Sequence, residues 1–93
     1  MELQKALSII RNKYPNRLVW NAFKYNNAYI FSVAQDNKFI RGDTTVQDIA
    51  VDLDTGDISE INGVLENYHH PIEWNKAIKE TLIDIDVSRK DWQ

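Results

Sequence analysis

The sequence predicts a single α+β domain: an N-terminal helix, an antiparallel sheet of three or four strands joined by hairpins, and a C-terminal helix packed on one face with it. Three observations carry this reading. Leu3, Ala6, Leu7 and Ile10 fall at i, i+3, i+4 and i+7, the apolar stripe of an amphipathic helix. Two runs dense in β-formers flank Asn26-Asn27. Ile49, Val51 and Leu53 alternate with Asp48, Ala50 and Asp52, the period-two pattern of a half-buried strand.

The first helix is expected over residues 2–13. Glu2 at its start and Arg11 and Lys13 at its end complement the helix dipole. Pro15 ends it, because proline disfavours the α conformation at the residue before it. Strands are expected over residues 18–25 and 28–34. Asparagine tolerates the positive φ that a tight hairpin turn demands, so Asn26-Asn27 should join them directly. Residues 35–45 read as a polar loop with Phe39-Ile40 packed down. A third strand follows over 46–53, a turn at Asp54-Thr55-Gly56-Asp57, a short fourth strand over 58–61, and a second turn at Asn62-Gly63. The C-terminal helix should begin near Pro71, a residue suited to the first turn, and end near Ile83. Its expected stripe is Ile72, Asn75, Ile78, Lys79 and Leu82, with Trp74 beside it. Beyond Leu82 two patterns compete: Ile83-Asp84-Ile85-Asp86-Val87 alternates as a strand would, and Leu82 and Ile85 extend the helical stripe; the expectation is an irregular or briefly extended tail. With 93 residues and no linker or repeat, the chain reads as one domain over 1–93.

Several chemistries find no support. There are no cysteines, hence no disulfide, thiolate site or cysteine nucleophile. The loop from Asp52 invites a calcium reading, but glycine arrives one position early and the twelfth position is Gly63 rather than glutamate. His69-His70 has no second histidine cluster to complete a metal site. Ser8, Ser32, Ser59 and Ser88 lie outside any nucleophile motif, and three glycines form no phosphate loop. The expectation is a protein without catalytic, cofactor or metal residues. The first residues lack a basic segment followed by an apolar run, and no stretch is apolar enough for a membrane helix, so a cytoplasmic location is expected.

The charge layout is uneven. Residues 1–41 carry a net +5 and residues 42–93 a net −8, together the net −3 of the chain. Between Gly42 and Asn75 there is no Lys or Arg but eight acids, from Asp43 to Glu73. Asymmetry of this kind points to a charged partner. The contacts singled out for a basic protein partner are Asp52, Asp54, Asp57 and Glu60. A reading from another class uses the basic residues Lys5, Arg11, Lys13, Arg17 and Lys24, with Trp20, Phe23 and Tyr25 stacking on nucleic acid. The isoelectric point near 5.2 weighs against it. An exposed sheet edge would offer a third route, homo-oligomerisation.

The helix, the aromatic hairpin and the strand ending in Val51-Asp52-Leu53-Asp54-Thr55-Gly56-Asp57-Ile58 resemble, over residues 2–60, small bacterial PepSY-like domains and a similar-looking group of bacterial immunity proteins. In both, a strand of the type apolar-Asp-x-x-Thr-Gly-acid-apolar leads into a hairpin turn. The resemblance implies an α+β fold and a role in binding or blocking another protein. PepSY domains are often extracytoplasmic regulators of peptidases, whereas immunity proteins block a toxin; the second role suits a small acidic chain without a secretion signal. The functional expectation is a non-catalytic protein-binding module of bacterial or phage origin, an immunity or inhibitor protein acting through an acidic surface.

Overall fold

A computed structural model describes residues 1–34 and 46–86. The expected loop at 35–45, with Phe39-Ile40, and the tail beyond Asp86 lie outside the described residues. The order is α1 (Leu3–Lys13), β1 (Val19–Tyr25), β2 (Ala28–Ala34), β3 (Val46–Asp52), β4 (Ile58–Ile61), α2 (Gly63–His69), α3 (Pro71–Thr81) and β5 (Ile83–Asp84). The strands form one antiparallel sheet in the order β4-β3-β2-β1-β5. The fold class is α+β, as the patterns predict. No described helix is long and apolar enough to cross a membrane.

The hairpin turns follow their residue chemistry. Asn26 and Asn27 have φ of 52° and 60°, so two residues suffice to reverse the chain between Tyr25 and Ala28. At the β3–β4 turn the Asp52 carboxylate accepts hydrogen bonds from the backbone N–H of Asp54 (2.8 Å) and Thr55 (2.9 Å). Gly56 then takes φ +77°, where a side chain would be strained. Asn27 Nδ2 donates to Asp54 at 2.9 Å and ties the two turns together.

The structure corrects the expected layering. The helices lie on opposite faces of the sheet. On one face, Ala6, Leu7 and Ile10 of α1 pack with Val19, Ala22, Tyr29, Phe31, Val33, Ile49 and Val51. On the other, Trp74 of α3 packs with Phe23, Ile30 and Ala50, flanked by Tyr25, Ile61, Ala77 and Ile78. The cause is visible in β2, where Ser32 is the one polar residue of Ala28-Tyr29-Ile30-Phe31-Ser32-Val33-Ala34. A strand apolar on both sides must be covered on both sides. The α3 stripe is accordingly rotated from its expected position. Trp74, Ala77 and Ile78 face the sheet, while Ile72 is 78% exposed. The large ring of Trp74 offers more area to bury than Ile72 does, and it meets Phe23 and Tyr25 edge-on.

One further element was not expected, and another resolves an alternative that the sequence left open. Residues 63–69, read as turn and loop, form α2. The segment after α3 returns to the sheet as β5, a fifth strand. Its placement depends on Asp86, a carboxylate only 7% exposed. Asp86 N donates to Val19 O (3.0 Å), Asp86 Oδ2 accepts from Val19 N (2.8 Å), and Oδ1 accepts from Arg11 Nη2 (3.3 Å). The side chain thus completes the outer edge of β1 just past the end of β5 and reaches α1 as well. Further along that edge, Lys24 N donates to Thr81 Oγ1 at 2.8 Å. The opposite edge, β4, is four residues long and carries Glu60, the short and charged form that discourages edge-to-edge pairing.

Asp86→Ala leaves the buried Val19 N–H without its acceptor and removes the ion pair to Arg11, whose guanidinium is half-exposed and can return to water. It should lower unfolding free energy by about 2–3 kcal/mol in urea titration. Asp86→Asn keeps an acceptor for Val19 and should lose only about half as much.

Candidate functional site

The acidic segment spans the β3–β4 hairpin, the β4 edge and α2, and its four singled-out acids have different local duties. Asp52 is held by two backbone N–H groups, chiefly those of Thr55 and Asp54, which keep its carboxyl below the ordinary aspartate range. Those bonds shape the turn rather than leaving Oδ1 open for a cation. Asp54 receives Asn27. Asp57 is exposed, and its N–H bonds to Thr55 Oγ1 at 3.1 Å. Glu60 is exposed on β4 and accepts from Gln47 Nε2 at 2.9 Å; Gln47 Oε1 in turn accepts from Arg17 Nη1 at 3.0 Å. Asp52, Asp54 and Asp57 therefore cluster at the hairpin turn. Glu60 lies along the edge strand, opposite Ile49 and so on the α1 side of the sheet.

The aromatic residues proposed to stack on nucleic acid have other surroundings. Phe23 is 4% exposed beneath Trp74. Tyr25 directs its hydroxyl to Glu66 Oε2 at 2.9 Å. Burial, and then Glu66, push the Tyr25 hydroxyl above its ordinary value, so it stays a proton donor across the neutral range. Arg11 is engaged with Asp86, and Lys24 lies over the Tyr29 ring at 5.5 Å.

The feature that sequence reasoning missed is α2. Its N-terminus is fixed from two sides. Asn62 Oδ1 accepts from Leu65 N at 3.1 Å, and the Asp48 carboxylate on β3 accepts from Gly63 N. Gly63 sits so close to Asp48 that a Cβ there would collide with Oδ2, and it would press on Trp74 Cζ2 at 3.1 Å. The side of α2 facing the body is thus Gly63, Glu66 and Asn67: against Asp48 and Trp74, bonded to Tyr25, and bonded to Asn75 Nδ2 (3.0 Å). The apolar residues point the other way. Val64 is 80%, Leu65 53% and Tyr68 79% exposed, and α2 buries none of its residues. This helix is amphipathic in the inverse sense, with its polar side on the protein and its apolar side in water. His69 stands edge-on to Tyr68, with ring centroids 5.2 Å apart. The sequence signal for the helix was local: a capping asparagine at position 62 and a run without β-formers' alternation from Gly63 to His69.

Two clefts border α2. One, of about 470 Å³, lies between its N-terminus and the β3–β4 ladder, with Asp48, Glu60, Ile61 and Val64 on its walls. The other, of about 540 Å³, lies where β1 ends; there Lys24 and Lys76 alternate with Glu66 and Glu73, so its charges offset one another. Among the described residues, no group of three or more His, Asp or Glu is placed to hold a metal ion. Comparison with protein-family models, with curated proteins and with solved structures finds no match to this chain.

Asp48 provides a titration test. Half-burial raises its pKa above the ordinary 3.8, against the opposing hydrogen bonds from Ser32 and Gly63. The folded state then holds this proton more tightly than the unfolded chain, so ionising Asp48 removes stability as pH rises through its folded value. Asp48→Asn keeps an acceptor for Gly63 without the buried charge. In urea titrations, its stability relative to the native chain should improve as pH is raised from about 3 to about 6.

Proposed function

We propose that this chain is a non-catalytic protein-binding module that covers a basic surface of its partner, in the manner of a bacterial or phage immunity or inhibitor protein acting in the cytoplasm. The observation that carries the reading is the unbalanced acidic end of the fold. Asp52, Asp54, Asp57 and Glu60 lie on the β3–β4 hairpin and its edge strand, within a stretch, residues 46–75, that contains no Lys or Arg. Charge of one sign over neighbouring elements steers association with a complementary surface and speeds encounter. Asp57 and Glu60 are exposed, and Asp54 adds its charge at the turn next to them. A partner surface that ordinarily holds nucleic acid has the matching chemistry.

The nucleic-acid alternative receives less support, because Phe23 is a core residue, Tyr25 packs against Trp74 and bonds to Glu66, and Arg11 is engaged with Asp86. The test is affinity capture from cells with the native chain and with a triple variant, Asp54→Asn, Asp57→Asn and Glu60→Gln. The reading expects a partner with a basic surface, released as salt rises from about 0.05 to about 0.5 M, and about tenfold weaker binding by the variant. Capture that ignores both salt and the three substitutions contradicts it.

A further inference from the structure

We infer that Asn62-Gly63 is a site of covalent self-modification: the docked α2 holds it closed to spontaneous deamidation, and each opening of α2 lets Asn62 convert to aspartate or isoaspartate. The inference goes beyond the protein-binding reading and does not depend on it. Asn62 is the one asparagine of the chain that precedes glycine. Deamidation begins when the backbone nitrogen of the next residue attacks the asparagine side-chain carbonyl, and a residue without Cβ leaves that nitrogen least hindered. Asn62 is also exposed, so water reaches it. The steps balance without redox chemistry. Gly63 N bonds to Cγ of Asn62, the Cγ–Nδ2 bond breaks, and ammonia leaves with the Gly63 N–H proton. Water then opens the cyclic imide. Attack at Cγ gives aspartate in the original backbone. Attack at the main-chain carbonyl carbon gives isoaspartate, which adds a methylene to the backbone.

The folded geometry opposes the first step. Asn62 has ψ 99°, which turns Gly63 N to the far side of the Cα–C bond from Cβ, whereas ring closure needs the two on the same side. Gly63 N donates to the Asp48 carboxylate, so its N–H is aimed at β3. Asn62 Oδ1 accepts from Leu65 N at 3.1 Å, which fixes the carbonyl that would be attacked. Rotating ψ into the reactive range breaks the bonds to Asp48 and Leu65 together and undoes the first turn of α2. That helix buries none of its residues, and elements with so little burial open well below the free energy of global unfolding. The rate at Asn62 is therefore set by how often α2 opens.

The two products differ in what they do to α2. Aspartate at position 62 keeps an acceptor for Leu65 N and places negative charge at the start of the helix, both favourable there. Isoaspartate has no such place. Its added methylene displaces Gly63, which is so closely surrounded that even a Cβ would collide with Asp48 Oδ2 and press on Trp74 Cζ2. In that form α2 does not redock, and the Tyr25–Glu66 hydrogen bond is lost with it. Deamidation is thus an irreversible release of α2 in part of the molecules.

The test incubates the native chain at mildly alkaline pH, folded and in guanidinium chloride. Position 62 is followed by peptide mass spectrometry and by enzymatic methylation of isoaspartate. In denaturant Asn62 should be modified before any other asparagine, and in the folded chain at least about tenfold more slowly. Asp48→Ala frees Gly63 N and should raise the folded-state rate several-fold. Tyr25→Phe, which removes the hydroxyl bond to Glu66 and leaves the reacting groups untouched, should raise it too, and serves if the first variant does not fold. Amide shifts of the purified isoaspartate form should differ from native over residues 63–69, whereas those of Asn62→Asp should keep the α2 pattern. Equal rates in folded and unfolded chains, or another leading site in denaturant, would overturn the inference. So would folded-state rates that neither variant raises, or an isoaspartate form with native shifts over 63–69.

Discussion

Trp74 meets Phe23 and Tyr25 edge-on, with ring centroids 5.0 and 4.9 Å away, and this contact fastens the C-terminal helices to the second face of the sheet. The need for it originates in β2, which is apolar on both sides and lies at the centre of the five strands. One side is met by α1. The other is met by α3, whose one buried residue is Trp74. Once that ring is seated, Tyr25 stands beside α2 and gives its hydroxyl to Glu66, while Gly63 lies against the far edge of the indole. The position of α2 is thus a consequence of how the second face is closed.

The C-terminal segment closes the structure in a different way. Five strands need two edges, and the one at β1 is finished by groups that are not a full strand: two residues of β5, the Thr81 hydroxyl and the Asp86 carboxylate. A buried carboxylate is costly unless its hydrogen bonds are made. Asp86 makes them to Val19 and Arg11, and so joins the last described residue to the first helix and the first strand. That leaves β4 as the open edge, short and acidic, next to α2. The unbalanced charge and the exposed apolar helix therefore occur at the same end of the sheet.

Much of this fold was legible because its signals are local. The i, i+3, i+4, i+7 stripe of α1, the Asn26-Asn27 turn, the alternation of β3 and the Gly56 turn each follow from a few neighbouring residues. What was not legible depends on distant partners. Asp86 meets Val19 across 67 positions, and the alternation of Ile83-Asp84-Ile85-Asp86-Val87 competes with a helical stripe through Leu82 and Ile85, so the local pattern alone does not decide for a strand. The rotation of α3 depends on Phe23 and Tyr25, which the α3 sequence does not contain. Sorting the helices onto two faces required weighing β2 as apolar on both sides rather than following Tyr29, Phe31 and Val33 alone. Residues 63–69 escaped because apolar periodicity is read as a buried face, and here that face is in water. The acids of the site were visible as a charge run; that Asp52 also holds its turn follows from the habit of Asp of accepting from backbone N–H groups just after it, whereas the bond of Asp54 to the Asn27 amide needs a residue 27 positions away.

The apolar side chains of α2 stand in water and contribute little to folding. The most direct measurement is the unfolding free energy, in urea, of a chain with Val64→Gln, Leu65→Gln and Tyr68→Gln together. Exposed substitutions that touch no packed feature usually change stability by no more than about 0.5 kcal/mol each, and the triple variant should stay close to the native chain. A loss of about 3 kcal/mol or more would mean that these side chains are packed in the folded protein, and would contradict an outward-facing α2.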